Sequence, residues 1–275
     1  MYSIYTFGAS MKRIAICYDF DKTLTPLDMQ SQGFVQDIGM GIDEFWEEVD
    51  TYSVDEHIEL NLTYMYKMVK AAGRVGKKLT KEYLNSFGKD IEYFPGLDTW
   101  FDRINKFGKD RGVEVHHYIL SSGLKEIIDG TSIVKNFDHV YASAFHYDND
   151  GFVDWPGFVV NYTNKTQFLF RISKGVFDEL DDGVNNAMKK GEYFVPLTNF
   201  IYIGDSDTDI PCMTLMTQFG GLSVGVYNEN MGGKKKVEKL VKDGRIKAAV
   251  KADYSEGSEI EKVVQDAILN IRSRK

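Results

Sequence analysis

Two hydrophobic periods alternate along this chain. Ile14–Tyr18 is a short β-prone run that stops abruptly at the polar Asp19-Phe20-Asp21-Lys22-Thr23, which predicts a strand running into a loop. From about Pro26 to Gly88 the spacing turns helical, with Phe34, Phe45, Trp46, Val49, Ile58, Leu62, Met65 and Met68 marking a bundle of short amphipathic helices. Pro95-Gly96 opens a further helix, Leu97–Phe107, and strand character returns over Val113–Leu120, ending at Ser121-Ser122-Gly123. A third β-prone run covers Val140–Ala144, and the Asn149-Asp150-Gly151 turn behind it predicts a hairpin.

Asn164 stands where an N-cap would start a helix over Lys165–Ile172. The polar stretch Ser173–Leu197 is expected to be helical between Asp178 and Lys189. Phe200–Ile203 reads as a strand ending in Gly204-Asp205. Gly221–Val226 and Ala248–Tyr254 read as two more strands, separated by the Lys-rich helix near Lys234–Val241, and an amphipathic helix closes the chain over Glu259–Ile271. Met1–Ser10 lacks a clear period, and no charged segment followed by an apolar stretch marks a secretory signal there.

Strands alternating with helices argue for an α/β fold with a Rossmann-like parallel sheet covered on both faces. The helical block after the first strand is the natural inserted domain, and an insertion at that place tends to act as a lid. The expected organisation is a catalytic core of residues 11–25 and 89–275 with a helical cap over 26–88.

Composition narrows the class. The 275 residues are 43% hydrophobic and 27% charged, ordinary globular usage. Lys+Arg 33 against Asp+Glu 41 leaves −8, the wrong sign for a protein that tracks nucleic-acid phosphates. No apolar run approaches the ~20 residues of a membrane span. The two cysteines, Cys17 and Cys212, sit in apolar neighbourhoods and read as free buried thiols in a reducing compartment, which points to the cytoplasm.

In an open parallel sheet, ligands bind beyond the carboxyl ends of the strands. Four polar clusters fall there: Asp19 to Thr23, Ser121, Lys165 at a helix start, and Gly204 to Asp209. Several carboxylates, a hydroxyl and a lysine suit an oxygen-ligated divalent cation beside a bound phosphate. Asp205, Asp207 and Asp209 do not form a calcium loop, because Ile210 and Met216 occupy the positions that need Gly and Glu.

In this order, these motifs resemble the haloacid dehalogenase superfamily over nearly the whole chain. Its first motif matches Asp19, Asp21 and Thr23, its second Ser121, its third Lys165, and its Gly-Asp-x-x-x-Asp motif Gly204, Asp205 and Asp209. The helical insertion and Ser121-Ser122-Gly123 are similar to the phosphoserine-phosphatase-like branch. The long Ser173–Leu197 segment departs from the pattern.

The resemblance implies a Mg²⁺-dependent phosphomonoester hydrolase acting on a small phosphorylated metabolite. It makes Asp19 the nucleophile and Asp21 the general acid and then base. Asp19, the Asp21 carbonyl and Asp205 would hold Mg²⁺, with Asp209 in the metal set or orienting Lys165. Ser121, Ser122, Gly123 and Lys165 would grip the substrate's phosphate end, and Thr23 would brace the first loop.

Asp28, nine residues after Asp19, stands where phosphoserine phosphatases carry a glutamate that recognises the substrate's amine, which suggests an amine-bearing substrate. The region around it is acidic, with no Lys or Arg after Lys22 until Lys67. Acidic and basic helices packed side by side would also explain that asymmetry. His116 and His117 read as structural, and Lys234-Lys235-Lys236 as a solvated helix start. A phosphotransferase or phosphomutase would share every motif, and a phospho-acceptor signalling module shares the acids, the hydroxyl and the lysine.

Overall fold

β1 (Lys12–Tyr18) sets the frame because its two faces feed two different cores. Ile14, Ile16 and Tyr18 point into one buried cluster, Ala15 and Cys17 into the other, the period-two alternation of a strand covered on both sides. The computed structural model describes residues 11–189, 191–205, 207–229 and 232–274, so the readings of Met1–Ser10 lie outside the described residues.

After β1 come α1 (Phe34–Asp37), α2 (Ile42–Glu56), α3 (Leu60–Arg74), α4 (Lys81–Ser86) and α5 (Leu97–Lys109). β2 (Val113–Leu124), α6 (Lys125–Asp129), β3 (His139–Tyr147) and β4 (Val153–Phe158) follow, then α7 (Lys165–Lys174) and β5 (Phe200–Gly204). α8 (Ile210–Phe219), β6 (Leu222–Tyr227), α9 (Lys234–Lys242), β7 (Ala248–Lys251) and α10 (Glu259–Ser273) complete the chain. The strands form one seven-stranded sheet ordered β4-β3-β2-β1-β5-β6-β7, parallel throughout except for the β3–β4 hairpin. This is the Rossmann-like α/β architecture the alternation predicts.

One face is covered by α5 and α10, through Trp100, Ile104, Val264 and Ile268. The other is covered by α7, α8 and α9, through Phe168, Ile172, Met213 and Val237. Phe45, Val49, Met65 and Met68 of the helical block join the first of these clusters, so the block and the sheet share one apolar interior. A backbone bond from Val153 N–H to the Leu79 carbonyl (2.9 Å) and a bridge between Thr80 and Phe152 clasp the β3–β4 hairpin onto that block. Among the described residues, no helix is long and apolar enough to cross a membrane.

The structure differs from the sequence reading in three places. Asp178–Lys189 is not an α-helix but loop with a single 3₁₀ turn, Asp182–Asn185. Asp178 and Asp181 accept bonds from the Leu180 and Gly183 amides, local turns that compete with the helix, and the buried Arg171 guanidinium takes the Asp178, Glu179 and Asp181 carbonyls. Asn164 does sit at the N-cap of α7, but its side chain caps no helical amide; its Oδ1 accepts from Asn161 N–H instead. β2 runs past Leu120, with an irregular register between Leu120 and Leu124. That bulged stretch carries Ser121-Ser122-Gly123, and bulges commonly re-aim side chains beside active sites.

His117 is structural, as expected. Its ring is buried between Tyr18 Oη (3.0 Å) and Asn105 Oδ1 (3.0 Å), and burial lowers its pKa to about 3, so it stays neutral. Its Nδ1 accepts from the Tyr18 hydroxyl, which in turn accepts from Trp100 Nε1–H at 2.9 Å. Tyr18→Phe strands two buried polar groups at about 1–3 kcal/mol each. The expected drop in Tm is at least several degrees, read by thermal unfolding beside the parent protein.

Candidate active site

The site forms where β1 and β5 end side by side. Asp19 follows β1 directly, and its amide donates to the Ile203 carbonyl of β5 at 2.9 Å, fixing the turn-off of the first loop. One residue past the end of β5 is Asp205. Gly204 before it has no room for a side chain, since a Cβ there would lie 2.6 Å from the Asp209 carboxyl. The 3₁₀ turn Asp207–Asp209 then brings Asp209 back over the strand end.

Lys165, at the start of α7, is fully buried and reaches both sides of this junction. Its Nζ lies 2.9 Å from Asp19 Oδ1 and 2.6 Å from Asp209 Oδ1. Tyr202 donates to the same Asp209 oxygen at 2.7 Å. Thr23 Oγ1 donates to Asp205 Oδ1 at 3.2 Å, and Tyr254 Oη holds the Thr23 carbonyl at 2.8 Å. Thr23 thus braces the first loop, with Asp205 as its partner.

Asp21 is steered differently: its Oδ1 accepts the Met29 amide at 2.7 Å. Gly123 keeps this space open, because a Cβ there would meet Met29 Cε at 2.2 Å and Asp21 Oδ2 at 2.9 Å. Ser121 Oγ accepts the Gly123 amide at 3.0 Å, while the Ser122 carbonyl accepts Tyr64 Oη at 2.7 Å and Ser143 Oγ at 3.1 Å. A cavity of about 250 Å³ gathers Asp19, Asp21, Asp28, Ser121, Ser122, Gly123 and Asp205 on its walls. Lys165 and Asp209 lie beneath it, and Thr23 lies beside it through Asp205. The structure therefore brings together every site residue read from the sequence.

Asp28 differs in one respect from its expected use. Its Oδ2 lies 2.7 Å from Lys22 Nζ, so its charge is already met from within the chain. Two acids of the wider asymmetry meet bases of the following segment: Glu48 meets Lys67 (3.5 Å) and Arg74 (2.9 Å), and Asp37 meets Lys77. Lys236 meets Asp207 at 3.0 Å, an ion pair that the reading of a solvated helix start missed. Also unread were Tyr202, which the alternation of β5 places two residues before Gly204, and the cavity residues Gln30, Leu60, Asn61 and Tyr64.

The electrostatics suit a divalent cation. Burial and the charge of Asp209 raise Asp19 to about 7 in spite of Lys165. Asp205 is raised by burial and by Asp19 and Asp209, and Asp21 by burial and by Asp28 and Asp19. Lys165 keeps its proton: burial opposes the charge, but Asp19 and Asp209 more than offset it. Asp19, Asp205 and Asp209 offer oxygens within 4.8 Å of one another, and three carboxylates facing one ammonium leave two negative charges over. An all-oxygen donor set with that surplus fits a small divalent cation such as Mg²⁺.

A family model described as haloacid dehalogenase-like hydrolase matches residues 16–214. The chain is 22% identical, over 93% of its length and 96% of the relative's, to an uncharacterized protein of Borreliella burgdorferi. By structure it is similar to a HAD family hydrolase from Salmonella enterica serovar Typhi (TM-score 0.59, 16% identity, 91% of this chain and 70% of that one). It is also similar to a phosphoserine phosphatase solved as a phospho-aspartyl intermediate analogue (TM-score 0.54, 16% identity, 93% and 99%). A probable phosphoserine phosphatase from Vibrio cholerae gives TM-score 0.58 at 14% identity, over 96% of this chain and 68% of that one.

A cation that binds ionised carboxylates stabilises the fold more as pH rises, because the metal-free site favours protons. Carboxyls raised in the fold, such as Asp19 (usual value 3.8, here about 7), contribute stability that is complete below pH ~4 and is lost as pH rises through about 7. The gain in Tm on replacing EDTA with excess Mg²⁺ is therefore expected to be near zero at pH 4 and several degrees at pH 8. Saturation at 100 Kd corresponds to about 2.7 kcal/mol. The difference between the two curves cancels His117, which titrates in both. A gain that is absent, or flat with pH, removes the metal site.

Proposed function

This chain belongs to the haloacid dehalogenase-like hydrolases and is an enzyme of that family, and from that premise we propose that it is a Mg²⁺-dependent phosphomonoester hydrolase working through an aspartyl-phosphate. The family match and the fold shared with phosphoserine phosphatases support phosphatase activity in general. One observation carries the finer reading: the buried Lys165 ammonium touches Asp19 and Asp209 at once, beside Asp205 and at the floor of a cavity that also holds Asp21.

A carboxylate attacking a phosphate monoester pushes two anions together, so the protein's task is positioning and charge stabilisation. Asp19 Oδ is held by Lys165 in one place and attacks phosphorus in line with the leaving oxygen, forming an acyl phosphate and splitting one hard step into two. Asp21, raised by burial and neighbouring carboxylates, carries the proton it delivers to the departing oxygen and then takes one from the water that opens the acyl phosphate. The Met29 amide aims it by holding its other oxygen. Ser121 and Lys165 would meet phosphoryl oxygens. Asp19, the Asp21 carbonyl and Asp205 would hold Mg²⁺, with Asp209 fixing Lys165; when bound, the ion supplies charge neutralisation between the carboxylates and the phosphoryl oxygens.

On this reading residues 26–88 form the cap and residues 11–25 and 89–275 the catalytic core, with the cap's Trp46, Leu60, Asn61 and Tyr64 walling the leaving-group side. The substrate is a small phosphorylated metabolite. The free, buried Cys17 and Cys212 support a reducing compartment, and we place the enzyme in the cytoplasm.

Phosphate release from p-nitrophenyl phosphate tests the reading. Asp19→Asn is expected to lose at least about 10³-fold in kcat while keeping the parent's circular dichroism, because no other group can accept the phosphoryl. Asp21→Asn is expected to lose about 10²–10⁴-fold, the usual share of general acid–base catalysis. Full activity in the Asp19→Asn variant ends the covalent mechanism.

A further inference from the structure

Resting on that phosphatase reading, we propose that the site selects a phosphomonoester whose leaving group is uncharged and hydroxyl-bearing, of the sugar or polyol kind, and not an amino acid. The cavity is divided by charge. Its floor is the aspartate cluster. The wall beyond, where a leaving group must sit, is made by Gln30, Trp46, Leu60, Asn61, Tyr64 and Ser122, none of them ionised near neutral pH; burial pushes the Tyr64 phenol further up.

Outside the aspartate cluster, the ionisable residues lining the cavity are Lys22 and Asp28, and they neutralise each other at 2.7 Å. Behind the wall, Glu48 is turned to Lys67 and Arg74, Asp37 to Lys77, and Glu59 to Asn61 Nδ2 and the Leu62 amide. An ammonium or carboxylate on the leaving group would shed its water against that wall and find no free counter-charge on it, which is costly.

Hydroxyls fit where charges do not. Gln30 is 1% exposed and its Oε1 has no hydrogen-bond partner; the Ser122 Oγ likewise has none. Buried polar atoms left this way cost about 1–3 kcal/mol each, and a substrate hydroxyl can complete them. The Trp46 indole is pinned by its N–H to Ser31 Oγ at 2.9 Å and packs edge-on against Tyr64, which fixes an aromatic surface suited to the C–H side of a small polyol. The volume of about 250 Å³ keeps the ligand small.

The test compares kcat/KM for glycerol phosphate and erythritol phosphate with that for phosphoserine, phosphoethanolamine and 3-phosphoglycerate, with p-nitrophenyl phosphate as the reference. The polyol phosphates are expected to exceed each charged comparator at least tenfold; a charged comparator that equals them overturns the proposal. Calorimetric binding to the Asp19→Asn variant in Mg²⁺ reads the same order without turnover. If p-nitrophenyl phosphate is not hydrolysed yet the polyol phosphates bind tighter, the phosphatase reading falls and the selectivity stands. Binding of phosphoserine as tight as that of glycerol phosphate, or binding of neither, overturns the selectivity.

Gln30→Met keeps the volume and removes the amide. It is expected to lower the ratio of glycerol phosphate to p-nitrophenyl phosphate kcat/KM about tenfold, equivalent to ~1.4 kcal/mol, and an unchanged ratio overturns the role given to Gln30. Leu60→Arg, at a cavity residue 45% exposed and so tolerant of change, is expected to raise the activity on 3-phosphoglycerate relative to glycerol phosphate by supplying the missing cation; no rise overturns the charge argument.

Discussion

Everything at the site is organised around one ammonium that has no contact with water. Lys165 is fully buried, and a charge in that position is tolerable only if opposite charges and hydrogen bonds surround it. Asp19 and Asp209 provide them, and each is itself fixed: Asp19 by its amide on the Ile203 carbonyl, Asp209 by Tyr202 and by the absence of a side chain on Gly204. One lysine therefore ties the start of α7 to the ends of β1 and β5. Remove it and two buried carboxylates lose their counter-charge, so the same contact serves folding and chemistry.

The fold divides labour between its parts. The parallel strands all end on one edge, and the loops leaving β1 and β5 concentrate carboxylates there, more than one lysine can balance. The surplus is unfavourable in the metal-free chain and suits a divalent cation. The helical block contributes no charge to the cavity beyond the Asp28 that Lys22 already meets. Glu48 of α2 pairs with Lys67 and Arg74 of α3, and the block turns aromatic, aliphatic and amide groups to the cavity.

Sequence alone determined the layered α/β architecture, and it singled out Asp19, Asp21, Ser121, Asp205 and Asp209 near strand ends and Lys165 at a helix start. Each of those signals is local: alternation within a strand, helical spacing, or a polar residue where an apolar run stops. Where local chemistry was ambiguous the reading failed. Asp178–Lys189 has helix-compatible spacing, but its Asp178 and Asp181 side chains satisfy the backbone in turns and Arg171 takes the carbonyls. Asn164 has the identity of a cap without the bond, because Asn161 N–H lies nearer.

Only the tertiary structure decided the pairings: Lys22 with Asp28, Tyr202 with Asp209, Tyr64 with the Ser122 carbonyl, the Met29 amide with Asp21. It also decided that the cavity wall carries no free charge. The physical reason is range. Periodicity and strand ends are fixed by neighbours a few residues away, whereas the net charge of a cavity is a sum over groups far apart in the chain. Whether a carboxylate such as Asp28 is available to a ligand depends on which cation the fold happens to set beside it.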